Sequence, residues 1–149
     1  MSVKFSTGFK DNVLDTASVK DTFDGGFIKV YSGTVPANAD ASLGSATLLV
    51  TYSDASGVGG LNLAAAAVNG VISKDETQVW SGEAVATGTA SFWRYVRTGD
   101  TGGASTSEIR IQGRMGLGGT SGIVPSLTFT NGETYTINYF TLPLFGTGE

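Results

Sequence analysis

The chain contains no cysteine and no histidine, and charged side chains make up only 15% of its 149 residues. Without cysteine there are no disulfides, thiolate nucleophiles or thiolate metal sites, and the redox compartment stays open. Without histidine the usual general base, the commonest zinc ligand and the side chain that titrates most readily near neutral pH are all missing. There is no apolar run of about 18 residues, and the N-terminal stretch Met1 to Gly8 lacks the hydrophobic centre of a signal peptide. Synthesis in a cytoplasm, with no membrane partner, is the expectation. Nine basic against 13 acidic residues give a formal charge of -4, and the basic ones form no block. A nucleic-acid partner is therefore not expected.

Glycine is abundant instead, at 22 residues, and hydrophobic residues reach 40% in compact alternating runs. Glycine with serine and threonine favours turns and strands, while the alternating apolar runs argue for a folded core over disorder. A chain of this length fits one domain that removes roughly 70% of its unfolded surface from water.

Ala90 to Arg97, Ala-Ser-Phe-Trp-Arg-Tyr-Val-Arg, has the composition of a central strand. Alternation puts Phe92, Arg94 and Val96 on one face and Trp93, Tyr95 and Arg97 on the other. Apolar bulk on both faces predicts cover on both sides, by a second layer, an arm or a partner subunit. Phe92 and Val96 are expected in the core, with Trp93, Tyr95 and Arg97 at a second layer or an interface, because Trp and Arg are enriched among interface anchors. Further strands are expected over 27–32, 46–53, 61–68, 71–73, 79–81, 108–115, 123–129 and 134–142. Turns rich in glycine, or marked by Asn69-Gly70 and Asn131-Gly132, separate them. Residues 34–45, with Pro36, Asn38, Asp40 and Gly44, read as an exposed loop, and 98–107 as a loop that is mobile when unbound.

Residues 1–24 read as an N-terminal arm preceding a single β-sandwich domain over 25–149, with a loose tail from about 143. Phe9, Val13 and Ala17 recur at helical spacing, predicting a short helix after Ser6 or Thr7, and Ser18 can cap one further turn. Phe9 and Val13 join Trp93, Tyr95 and Arg97 as candidate contact residues, since the arm must bury its apolar groups on the sheet or on a neighbouring subunit. The fold class is all-β, an antiparallel β-sandwich or jelly-roll-like barrel with a partly helical or irregular arm.

The sequence supplies no recognisable catalytic set. Neither Gly57-Val58-Gly59-Gly60 nor the glycine-rich run 116–122 is followed by the lysine that a phosphate loop requires. Asp21 with Asp24, and Asp75 with Glu76, lack the further oxygens of a calcium site, and Asp54 with Asp100 lie in separate glycine-rich loops. No serine has an evident base. An enzyme, a cofactor or a bound metal is not expected.

Phe27-Ile28-Lys29-Val30-Tyr31-Ser32-Gly33 with Val35-Pro36-Ala37, then Ala64 to Ala67, then Gly88-Thr89-Ala90-Ser91-Phe92-Trp93-Arg94, occur in an order that resembles small virion structural proteins of tailed bacteriophages and prophages. Thr98-Gly99-Asp100-Thr101-Gly102 and Ile111-Gln112-Gly113 extend the likeness over about residues 25–142. The resemblance implies a capsid decoration or cement protein that binds the major capsid protein on the outer shell, as a dimer or trimer, after synthesis in a bacterial host. A tail, fibre or head–tail junction protein is the alternative within the same group. A carbohydrate-binding β-sandwich module, offering Trp80, Trp93 or tyrosine rings as sugar platforms, is the alternative outside it.

Overall fold

Short apolar runs broken by glycine and polar turns give many short strands, and the computed structural model, which describes residues 3–55, 57, 59–115 and 127–143, is all-β with two short helices. In chain order the elements are β1 (Val3–Phe5), α1 (Thr7–Asp15), α2 (Val19–Phe23), β2 (Phe27–Ser32), β3 (Thr47–Asp54), β4 (Val71–Ser73), β5 (Trp80–Glu83), β6 (Gly88–Thr89), β7 (Phe92–Val96), β8 (Arg110–Arg114), β9 (Thr128–Phe129), β10 (Thr134–Ile137) and β11 (Thr141–Pro143). Seven strands form one antiparallel sheet in the order β1-β8-β7-β2-β3-β5-β10, and β4–β11 and β6–β9 form two-stranded ribbons. The Ala90–Arg97 stretch supplies β7, which lies inside the sheet between β2 and β8.

Both faces of β7 are covered, as expected, and Phe92 and Val96 are buried on one of them; the main hydrophobic cluster lies on the other, around Trp93 and Tyr95, which were expected at a second layer or an interface. Ile28 and Val30 of β2 and Ile111 of β8 share that face by register, opposite Tyr95, Trp93 and Tyr95 respectively. Room for the two large rings comes from glycine. A Cβ on Gly113 would overlap the Trp93 indole, and one on Gly26 would overlap the Tyr95 ring. On β3 a bulge between the Val30 and Tyr31 pairings lets the successive residues Leu49 and Val50 both enter the core. Tyr52 of β3 is fully buried, and its hydroxyl has no hydrogen-bond partner among the described residues. Burial pushes that hydroxyl's pKa well above the usual tyrosine value. Tyr52→Phe is accordingly expected to raise stability by about 1 kcal/mol, seen as a higher urea midpoint at unchanged slope.

The N-terminal segment closes this core. Phe9 of α1 and Phe23 of α2 are both fully buried. The Phe23 ring stacks on Tyr95 at 4.3 Å and lies 5.5 Å from Phe140 and 5.9 Å from Trp80. Both helices start at serine caps, as their sequences predict: the Ser6 hydroxyl accepts from the Phe9 amide and the Ser18 hydroxyl from the Asp21 amide, each at 3.1 Å. α1 ends at Asp15, so Ala17 falls outside the helix although its spacing matched. Ser6 also joins the arm to the sheet, because its hydroxyl accepts from the Arg110 amide at 2.8 Å and donates to the Glu108 carbonyl at 2.7 Å. Ser6→Ala removes the cap and strands a buried amide. A loss of about 2 kcal/mol is expected in urea unfolding.

Several expected elements differ. Residues 61–68 form isolated bridges, Leu63 with Lys74 and Val68 with Val71, in place of a continuous strand. Among the described residues the 134–142 run does not pair with the segment before it. It splits at 138–140 into β10, which pairs with β5, and β11, which pairs with β4, while β9 pairs with β6. Residues 34–45 form a loop without regular structure, as expected, though Ala39 is fully buried within it. The turn expected over 116–122, the first part of the 123–129 strand and the tail after 143 lie outside the described residues.

Candidate functional site

The opposite face of the sheet carries buried Tyr31, Phe92 and Val96 together with a row of polar side chains. Register lines up Lys29, Arg94, Gln112 and Lys4 in one row across β2, β7, β8 and β1. Like charges on adjacent strands repel, and the backbone of residues 36–41 takes up Arg94, Gln112 and Lys4. Gln112 stands between Arg94 and Lys4, and its carbonyl accepts from Arg94 Nε at 2.8 Å. The 36–41 segment crosses the row as a strap. Its carbonyl oxygens accept from Gln112 Nε2 at Pro36 (2.8 Å), from Lys4 Nζ at Ala37 (2.6 Å), and from Arg94 Nη2 at Asn38 (3.2 Å) and Ala41 (2.7 Å). Arg110, further along β8, donates to Ala39 O at 3.2 Å.

Two guanidiniums, Arg94 and Arg110, are thus almost wholly removed from water. Arg110 has a forked partner: Nε and Nη2 donate to the two carboxylate oxygens of Asp100 at 2.6 and 2.7 Å, with both side chains buried. Burial works against the Asp100 charge, but the bonds from Arg110 and the Gly102 amide, together with the positive charge of Arg110 and Arg94, outweigh it and hold the carboxyl below its ordinary range. Arg94 has only neutral acceptors. Burial, with repulsion from Arg110, pushes its pKa down to about 10, so it keeps its charge at neutral pH. The 98–107 loop, expected to be mobile, is therefore anchored by Asp100, and Leu43 N donates to Gly102 O at 2.9 Å to bind strap and loop together.

The candidate contact residues do not assemble into a surface. Trp93, Tyr95 and Phe9 are fully buried within the chain and offer no surface for contact: Phe140 lies edge-on to Trp93, Phe23 stacks on Tyr95, and the Phe9 ring packs 5.1 Å from Phe5. The Tyr95 hydroxyl donates to Thr22 O (2.8 Å) and Phe23 O (2.6 Å). Arg97 Nη1 donates to Thr22 O (2.9 Å) and Asp24 O (3.0 Å). Both side chains therefore serve the last carbonyls of α2, which the helix itself cannot satisfy. Val13 is half-buried and packs against the core. Trp80 is enclosed as well, so neither tryptophan presents a ring to a sugar.

The carboxylates singled out in the sequence remain apart. Asp54 accepts from the Val79 amide at 3.1 Å and Asp100 is held by Arg110. Asp24 pairs with Lys20 and accepts from the Leu63 amide, and Asp75 accepts from Thr77. No group of three or more potential metal-ligating side chains converges among the described residues, and no helix among them is long and apolar enough to cross a membrane.

Among the described residues, the large apolar side chains left at the surface are Leu14 of α1, Val68, Val79, Val85 and Tyr139. Ala65, Ala66, Ala67 and Val68 are exposed in succession at the end of a finger formed by 61–73. The finger's base is fixed by buried Leu61 and Leu63 and by Lys74, whose ammonium donates to Asp75 O and Gln78 O and lies 5.6 Å from the Trp80 ring centre. Val68 is 68% exposed and Tyr139, which precedes β11, is 69% exposed. The alanine run lies in the strand expected over 61–68, and no local signal in the sequence marks its exposure. No family model, no curated protein and no solved structure matches the chain.

Proposed function

We propose that this chain is a virion structural protein of a tailed bacteriophage, a capsid decoration or cement protein that attaches to the major capsid protein and reinforces the shell. The observation that carries the reading is the row of exposed apolar residues Ala65 to Val68 on a finger whose base is tied into the core. It supplements the sequence likeness to small virion proteins. A small apolar tip gives a modest contact: burying one valine is worth about 1.5 kcal/mol or a little more. On a capsid lattice many such contacts act together, because neighbouring attachments raise the effective concentration of each one. The arm and the β7 aromatics are the support for the finger and not the contact itself.

The test is co-sedimentation of the purified chain with emptied capsid shells, followed by heating of the decorated shells. Binding with raised heat resistance supports the proposal, and a chain that neither pellets with shells nor protects them contradicts it. Val68→Asp places a charge on the exposed tip without touching the core. It is expected to weaken shell binding by at least about tenfold, the equivalent of 1.4 kcal/mol, while leaving the melting temperature unchanged. Formation of a defined ring with no affinity for shells would instead favour the tail or head–tail junction role.

A further inference from the structure

The finger ends in a two-residue turn whose chemistry the fold and the proposed contact do not use. Val68 and Val71 exchange both backbone hydrogen bonds, Val68 N to Val71 O at 2.8 Å and Val71 N to Val68 O at 3.0 Å. Asn69 and Gly70 between them both have positive φ, 52° and 74°. This is the tight hairpin turn that Asn-Gly favours. Both residues are exposed, and nothing lies within 4 Å of where a Gly70 Cβ would stand. Among the described residues the Gly70 N–H donates no hydrogen bond and the Asn69 amide has no partner.

We propose that Asn69 is a site of spontaneous deamidation, converting to aspartate and isoaspartate in the folded protein. Solvent base removes the proton from the Gly70 amide nitrogen, which attacks Cγ of Asn69. A C–N bond forms, the Cγ–NH2 bond breaks, and ammonia leaves after taking a proton from water. Water then opens the resulting succinimide at either carbonyl, giving a carboxylate on the side chain or on the main chain. One water is consumed for each ammonia released and no electrons are transferred. Glycine assists because it has no Cβ to block the approach, and an N–H bonded to no acceptor loses its proton without first breaking a bond.

The chain carries its own comparison. Asn131-Gly132 is the other Asn-Gly pair and is also exposed, with Gly132 at φ 87°. There the attacking nitrogen is occupied: Gly132 N donates to Ala84 O at 2.8 Å, and Asn131 N donates to Thr87 Oγ1 at 3.0 Å. These bonds tie the turn to the end of β5 and must open before ring closure. Asn69 therefore converts faster than Asn131, by about tenfold if the difference equals one net hydrogen bond. The product adds a carboxylate to an apolar tip and takes the formal charge from -4 to -5. Isoaspartate also lengthens the main chain inside a turn that tolerates only two residues.

The experiment is incubation of the native full chain in mildly alkaline buffer, with peptide mapping that separates asparagine, aspartate and isoaspartate at both positions. A parallel sample is held unfolded in urea. Expected are a growing acidic form assigned to Asn69 in the native sample, little change at Asn131, and similar rates at the two sites in urea. Asn69→Gly, which keeps a residue suited to positive φ, should retain the wild-type melting temperature and lose that acidic form. Equal rates at the two sites in the native protein, or conversion at Asn131 ahead of Asn69, would overturn the proposal. So would an Asn69 that stays intact while the unfolded sample converts.

Discussion

Asp100→Asn is expected to destabilise the protein by about 3–5 kcal/mol, because it leaves the Arg110 guanidinium charged, buried and without its counter-ion. For a chain of this size that is a fall of roughly 10 °C in melting temperature. The effect is large for a loop residue, and it follows from the forked Arg110–Asp100 contact with both side chains out of water. Arg94 enlarges it, since a second guanidinium in the same layer has only carbonyl and amide oxygens for partners. The double variant Asp100→Asn with Arg110→Met is expected to cost less than the sum of the single changes, for the orphaned charge is then absent and its repulsion of Arg94 is relieved. The pH dependence carries the same sign. The Asp100 carboxyl is held below its ordinary range, so its contribution is complete above the unfolded value of about 4 and is lost as pH falls through the lower folded value. Wild type and Asp100→Asn should therefore differ most at neutral pH and converge in acid, measured as urea midpoints across that range.

Phe23→Ala is the second large effect, expected to cost about 3–5 kcal/mol in the isolated chain. Phe23 belongs to the N-terminal segment, yet its ring is enclosed by Tyr95, Trp80 and Phe140 and is fully buried. Removing it opens a cavity at the centre of the core and leaves the Tyr95 ring without its stacking partner. An arm that served only a neighbouring molecule would tolerate the change with no loss of stability in dilute solution. Urea unfolding of the purified chain distinguishes the two, and the slope should stay near wild type if the rest of the core remains folded.

Much of the fold follows from local pattern. β2 is placed residue for residue by the alternation from Phe27 to Ser32, and both helix starts follow from Ser6 and Ser18 with an apolar residue in the next turns. The two-sided burial of β7, with Phe92 and Val96 inside, follows from its apolar residues on both faces. That the larger cluster gathers on the Trp93/Tyr95 side does not, because it depends on glycines from elsewhere in the chain, Gly113 and Gly26, that leave room for the rings. The strap was illegible because its acceptors are backbone carbonyls, which every residue possesses. What the sequence did carry was the donor side: Arg94 shares a face with Phe92 and Val96, and Arg110 and Gln112 alternate with Ile109 and Ile111, but neither pattern names the segment that covers it. The separation of β10 from β11 depends on long-range pairing with β5 and β4, and no local signal specifies it. The finger was misread because four alanines suit a strand as readily as an exposed tip.

The division between an internal β7 and an external finger is the centre of the account, and amide hydrogen exchange on the chain free and bound to capsid shells tests it most directly. Bound protein should gain protection over 64–71 and show no change over 92–96, whose amides are already held in the middle of the sheet. New protection confined to the N-terminal segment or to β7, with the finger exchanging as it does in the free chain, would contradict it.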